Sequence, residues 1–225
     1  MPVLDFFSQE ANRRSATPKT QGRAWRGLVT AVLVACAMIA SARAQTAPQP
    51  ELYLVAIGDV PVDMTNRLVS YVQTRFQVPI RTLPALRFDG QMLDRQRSQV
   101  VADELIRAVR VQHAALVKNP RTRVIAITPF DMYMLEMKDQ WRFTFSLRSR
   151  DQRLAVVSYA RMDPANLGQV PDATLLESRL RKMISKNIGI IYYGLPTSHN
   201  PRSAMFGNIL GVDDLDRMTE DFNPR

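Results

Sequence analysis

This chain is poor in the residues that carry most enzyme chemistry. Of its 225 residues, one is cysteine (Cys36) and two are histidine (His113 and His199). A thiol nucleophile in the body of the chain is therefore excluded, as are disulfide staples and cysteine-ligated metals. Glycine is sparse, with nine in all, and no G-x-x-x-x-G-K or G-x-G-x-x-G cradle for phosphate occurs. No apolar run reaches the roughly 20 residues that a membrane-spanning helix needs. Basic residues are not interleaved with aromatics, so nothing suggests a nucleic-acid platform.

What the chain has at its start is an export signal. Arg13, Arg14, Lys19, Arg23 and Arg26 form a long basic stretch, and Leu28 to Ala40 is uncharged and mostly apolar. Ala42-Arg43-Ala44 then reads as a cleavage site, which places a signal peptide at 1–44, a proline-containing linker at 45–51 and one domain at 52–225. The expected location is secreted or periplasmic. A rival reading takes Leu33-Val34-Ala35-Cys36 as a lipobox, making the product a lipoprotein anchored at Cys36. The apolar run continuing to Ala40 favours soluble secretion. Cleavage removes six of 30 basic and two of 21 acidic residues, so the charge falls from +9 to +5. That mild excess does not specify a partner.

Hydrophobic periodicity beyond the linker predicts an α/β (α+β) order. Leu52–Gly58, Val78–Leu83, Arg123–Thr128, Trp141–Leu147 and Leu154–Tyr159 read as strands, and Met64–Phe76, Ser98–Val117 and Ala173–Tyr193 as helices. Arg87–Arg97 reads as an exposed loop, and Arg148–Gln152 as a hairpin turn. Arg148, Arg150 and Arg153 around that turn read as a solvated face. In the last helix, Leu176, Leu180, Ile184, Ile188 and Ile191 share one side. Gly194 suits the left-handed residue after a helix, and Pro196 opposes continuation.

The stretch from Asn187 to Thr197 carries the functional argument. It has the spacing H-E-x-x-H-x-x-G-x-x-H, written here as N-I-x-x-I-x-x-G-x-x-T, with Met205 downstream. Leu54–Pro61, Ile127–Tyr133, Ala155–Arg161, Asn200–Phe206 and Asp216–Arg225 add collinear landmarks. Together they make the chain resemble an archaemetzincin, a small zinc metallopeptidase of the metzincin clan, from about Leu52 onward. The resemblance implies a metzincin-like twisted mixed sheet with backing helices, a long active-site helix and a small C-terminal subdomain. It implies that Asn187, Ile191 and Thr197 stand where three zinc-binding histidines belong, and Ile188 where a glutamate base belongs. Gly194 and Met205 match the turn and the apolar Met-turn floor. The family's second zinc site uses cysteines, and the matching positions are Ser198, Ser203 and Asn223, with the last ligand falling beyond Arg225.

The expectation is therefore an exported, non-catalytic pseudo-peptidase without a metal cofactor, binding an extended peptide or an envelope protein. A strand along the old groove offers β-augmentation, and Tyr192, Tyr193 and His199 are candidate groove residues. The alternative is a zinc peptidase working through a rearranged site around His199, and a third reading is a purely structural envelope partner. Ser198-His199 lacks a G-x-S-x-G elbow and reads as exposed loop. His113 reads as an ordinary helix histidine, and Asp131 and Tyr133 as turn residues that border the cleft or cap local backbone.

Overall fold

The computed structural model describes residues 49–136 and 142–224. The expected signal peptide, Cys36, most of the expected linker and Trp141 lie outside the described residues. Strand β1 (Glu51–Ala56) is buried along four of its six residues, as a strand covered on both faces must be. It pairs in parallel with β2 (Ile80–Thr82) on one side and with β5 (Thr122–Thr128) on the other. Three further strands are short: β3 (Leu93–Asp94) and β4 (Gln99–Val101) between β2 and β5, and β6 (Met132–Tyr133) after β5. Strand β7 (Ser146–Arg148) runs antiparallel to β8 (Leu154–Ser158), which returns in parallel beside β5. The main sheet thus has the order β2-β1-β5-β8-β7, mixed only at its β7 edge.

Side-chain alternation decides which layer covers which face. Leu52, Leu54, Ile125, Ile127, Ala155 and Val157 point to one face. There they meet Leu68 and Val72 of α1 (Val62–Phe76) and the apolar side of the long helix at 173–191. Tyr53, Val55, Val124, Ala126, Leu154 and Val156 point the other way, onto Leu105 and Val109 of α2 (Ala102–Gln112) and Val117 of α3 (Ala114–Val117). The result is an α/β sandwich. The long helix becomes α4 (Ala173–Ile191), and a short α5 (Val212–Arg217) follows in the otherwise irregular C-terminal segment.

Three expectations need correction. The helix expected over 98–117 starts only at Ala102 and breaks at His113. Gln99–Val101 is instead β4, central strand of a small second sheet with the order β3-β4-β6. The β-branched pair Val100-Val101 suits that strand, and Ser98 enters it at a positive φ of 53°. The loop expected at 87–97 contains a 3-10 turn at Gly90–Met92 and β3, with Asp89 accepting the Gln91 N–H at 3.0 Å. The strand expected over 141–147 is regular only from Ser146.

The C-terminal segment is tied to α4 by charge. Arg179 is buried and grips Asp216 through two bonds, of 2.8 and 2.7 Å, while donating to the Met162 carbonyl at 2.9 Å. The Arg179 hydrogen bonds, and then its charge, hold the Asp216 carboxyl below its usual range. A lowered folded-state value means that this stabilisation is complete above about pH 4 and fades as the pH falls through the depressed value. Asp216→Asn is expected to cost about 1.5–3 kcal/mol at neutral pH, the range for hydrogen bonds to a charged group. Denaturant unfolding checks it: the gap to the parent closes in acid, and a gap independent of pH would refute this account.

Candidate functional site

Helix α4 begins where Asp172 accepts the Leu175 N–H at 2.9 Å, an N-cap bond. It ends where Gly194 takes a left-handed φ of 68°, with the Leu195 N–H returning to the Gly189 carbonyl at 2.9 Å. Between these ends the helix is enclosed on two sides. Leu180, Ile184, Ile188 and Ile191 face the sheet. Arg179, Lys182 and Lys186 face the C-terminal segment, where the Lys182 ammonium donates to the Leu215 carbonyl at 2.8 Å and that of Lys186 to the Phe206 carbonyl.

Met205 packs onto the helix at Gly189, where a Cβ would overlap the Met205 Sδ and press on Phe222. The loop carrying Met205 is pinned by Ser198 N–H to Met205 O at 2.8 Å and Gly207 N–H to Ser198 O at 3.0 Å. Ser203 is buried, donating to the Phe222 carbonyl at 2.5 Å and accepting from the Met205 N–H at 3.0 Å. Hydroxyl hydrogen bonds hold the chain together at a position where the resemblance implies a thiolate.

Beside α4 lies a cavity of about 580 Å³, between the residues leading into β7, the helix at Met183 and Lys186, and residues 207–210. Ser146 and Arg148 alternate with Leu147 and so share one side of β7. Both reach the helix. The Ser146 hydroxyl donates to Asn187 Oδ1 at 3.1 Å and Arg148 Nη1 approaches it at 3.4 Å, while Asn187 Nδ2 donates to the Met183 carbonyl at 2.8 Å. Arg148 is therefore not part of a solvated face. Burial lowers its affinity for its proton. Lys186 is only 5% exposed, and burial, followed by the nearby Arg148 charge, pulls its pKa down to about 8. Arg150 does stay exposed, and Arg153 pairs with Asp151 at 3.1 Å.

The expected site residues are distributed unevenly. Asn187 is fully buried and does not line the cavity itself, but it is bonded to Ser146 and Arg148, which do. Ile188 and Ile191 are packed in the core, at 0% and 3% exposure. Thr197 is exposed and lies close to Gly207, which lines the cavity. His199 is exposed on the following loop. Tyr192 donates to Gln49 Oε1 at 3.1 Å, and Tyr193 turns toward α1 and Phe222, donating to the Phe76 carbonyl at 3.2 Å. Neither tyrosine nor His199 lines the cavity. Asp131 is engaged by Arg161 at 2.8 Å and Gln99 at 2.9 Å, and Tyr133 donates to Asp94 at 3.0 Å. Among the described residues no three His, Cys, Asp or Glu side chains converge as a metal-binding group.

The fold and the helix invite comparison with known proteins. No family profile matches the chain. A curated archaemetzincin from Pyrococcus furiosus is 25% identical over 173 residues, spanning 73% of this chain and 84% of that one. A zinc-dependent peptidase from Methanocorpusculum labreanum superposes with a TM-score of 0.63 at 21% identity, covering 76% of this chain and 95% of the other. The chain is archaemetzincin-like. Archaemetzincins from Archaeoglobus fulgidus, solved with malonate, and from Methanopyrus kandleri give TM-scores of 0.60 and 0.61 at 21% and 22% identity. They cover 76% and 80% of this chain, and 95% and 92% of their own. This likeness establishes the archaemetzincin fold.

The cavity cations escaped the sequence reading because nothing in a strand of three residues announces which side is enclosed. The available signals were the adjacency of Lys186 to Asn187 and the Ser146/Arg148 alternation.

Two outcomes check this geometry. Gly189→Ala forces Met205 off the helix and should cost about 1–3 kcal/mol by overpacking, less up to ~1 kcal/mol regained in helix propensity. Pairing it with Met205→Ala in a double-mutant cycle should recover part of that loss, and strict additivity would contradict the contact. For Lys186, a folded pKa of about 8 against 10.5 means the folded state binds fewer protons between those values. Stability therefore rises with pH across that window. Lys186→Met should abolish the rise, read as melting temperature against pH.

Proposed function

We propose that this is an exported, non-catalytic archaemetzincin-like domain whose cleft binds a peptide or protein. The observation that carries the reading is the state of Asn187. Its carboxamide oxygen already accepts from Ser146 and faces the Arg148 guanidinium, so it offers a metal no free donor. The remaining donor set fits zinc no better. Ile188 and Ile191 have no lone pairs and are in the core, and Thr197 presents a neutral hydroxyl. A guanidinium within 3.4 Å of the first ligand position also opposes a divalent cation there by charge alone. Without a glutamate at 188, no group at that position takes a proton from water.

The cleft edge supports recognition chiefly by side chains. The antiparallel register pairs Leu147 with Val156, and the flanking bonds are Ser158 N–H to Phe145 O and Ser149 N–H to Leu154 O. The main-chain groups of Ser146 and Arg148 therefore face away from the sheet. Both groups of Ser146 are taken by Thr144 Oγ1, which donates to its carbonyl at 2.9 Å and accepts from its N–H at 3.3 Å. An added peptide strand must displace that hydroxyl. The cavity side chains are the open recognition elements.

Zinc titration of the purified chain, with metal analysis and a peptidase assay, tests the proposal. The expected result is no stoichiometric zinc, no zinc-dependent rise in melting temperature and no hydrolysis. Zinc bound one-to-one with a rise in melting temperature would overturn it.

A further inference from the structure

The cavity beside α4 is unbalanced in charge. Its lining includes Arg142, Arg148 and Lys186, and among the described residues it includes no aspartate or glutamate. Elsewhere on the same helix both arginines are answered, Arg179 by Asp216 and Arg181 by Glu177 and Glu220, while Lys182 donates to the Leu215 and Asp216 carbonyls. Arg148 and Lys186 make no ion pair with a described residue. Lys186 uses its ammonium on the Phe206 carbonyl, leaving two of three donors. Arg148 has one long contact, to Asn187, leaving most of its five donors. A buried ammonium and a half-buried guanidinium of like charge, without a counter-ion among the described residues, oppose folding. Such an arrangement is relieved when an anion enters between them.

The walls narrow the choice of anion. Phe143, Phe145, Leu147 and Met183 supply apolar lining, and Leu210 stands at the rim, 65% exposed. The volume of about 580 Å³ lies within the range of small-ligand sites and exceeds what a bare ion fills. Planar guanidinium donors match a carboxylate in two parallel bonds.

We infer that the cavity is a carboxylate site, in which Arg148 and Lys186 hold the free C-terminal carboxylate of a peptide whose last side chain is apolar and packs on the apolar wall. The inference rests on the reading of the cleft as a peptide-binding site and adds the chemistry of its ligand. The strand edge closed by Thr144 agrees with it, because capture of a peptide end needs few ladder bonds.

The test is calorimetric titration of the full chain with a short peptide ending in a free leucine carboxylate, with its C-terminal amide, and with inorganic phosphate. The acid should bind at least tenfold more tightly than the amide, and more weakly as salt is added. Lys186→Met and Arg148→Met should each lower acid affinity at least tenfold, while Arg150→Met, outside the cavity, leaves it unchanged. Arg148→Lys keeps the charge without the fork and should fall between. It carries the test if Arg148→Met does not unfold cooperatively. Equal binding of acid and amide overturns the carboxylate assignment while leaving the cleft a peptide site. Binding of phosphate but not of the acid also overturns it, as does absence of all binding. Zinc binding would instead strike at the non-catalytic reading.

Discussion

The fold depends on a helix enclosed on two sides. A surface helix hides one stripe and wets the rest. Helix α4 hides Leu180, Ile184, Ile188 and Ile191 against the sheet, then has its other side covered by residues 198–222. That second cover is only stable if the basic side chains beneath it find partners, since a buried unpaired charge costs several kcal/mol. Arg179 meets a carboxylate, and Lys182 meets a carbonyl near the same carboxylate. Lys186, one turn further on, meets only a carbonyl. Along one helix face the compensation thus runs down toward the cavity, and the shortfall collects where a ligand can enter.

Glycine sets the distance at which this cover sits. At Gly189 the missing Cβ admits the Met205 side chain and the Phe222 ring. Ser203 then joins the Met205 loop to Phe222, and the Ser198 main chain closes it. Contacts among apolar atoms and hydroxyls therefore hold the C-terminal segment in its archaemetzincin arrangement.

Much of the sheet was legible because its strands are buried on both faces. Leu52–Val55, Val124–Ile127 and Leu154–Val157 are continuous apolar runs, which few other structures tolerate. Helix α4 was legible from its 3.6-residue stripe and its glycine stop. The second sheet was not. Its strands are two or three residues long, too short for any period to show, and Val100-Val101 fits a helix face as readily as a strand. The site was half legible. Spacing pointed to the helix carrying Asn187 and to the Met205 loop that packs on it at Gly189, but could not show that Arg148 turns inward, because the direction of a hairpin side chain depends on which edge of the sheet is covered. The tyrosines at 192 and 193 illustrate the same limit. They follow the helix in sequence, yet the last turn takes Tyr193 to the end of α1 and Tyr192 to Gln49, and neither lines the cavity.

The cations of the cavity are physically linked to Asn187, which stands where the resemblance implies a zinc ligand. A divalent ion coordinated at position 187 and a guanidinium reaching the same atom repel each other strongly in a low-dielectric pocket. Retaining Arg148 in its inward conformation therefore disfavours metal, and a metal would drive Arg148 outward or lower its occupancy. Asn187 resolves the conflict in one direction: its amide oxygen accepts from Ser146 and Arg148 while its amide nitrogen is spent on Met183. A neutral imidazole there has a single acceptor nitrogen and could not serve both partners. Asparagine at 187, serine at 146 and arginine at 148 thus act as one hydrogen-bonded unit. On the reading proposed above, fixed side-chain charge at this end of the cleft takes over the attraction for carboxylates that a metal would otherwise provide. Such a charge pair binds an anion without activating water, because neither an ammonium nor a guanidinium presents a coordinated water for deprotonation. On that proposed reading, the positive field that favours binding brings no hydrolysis with it.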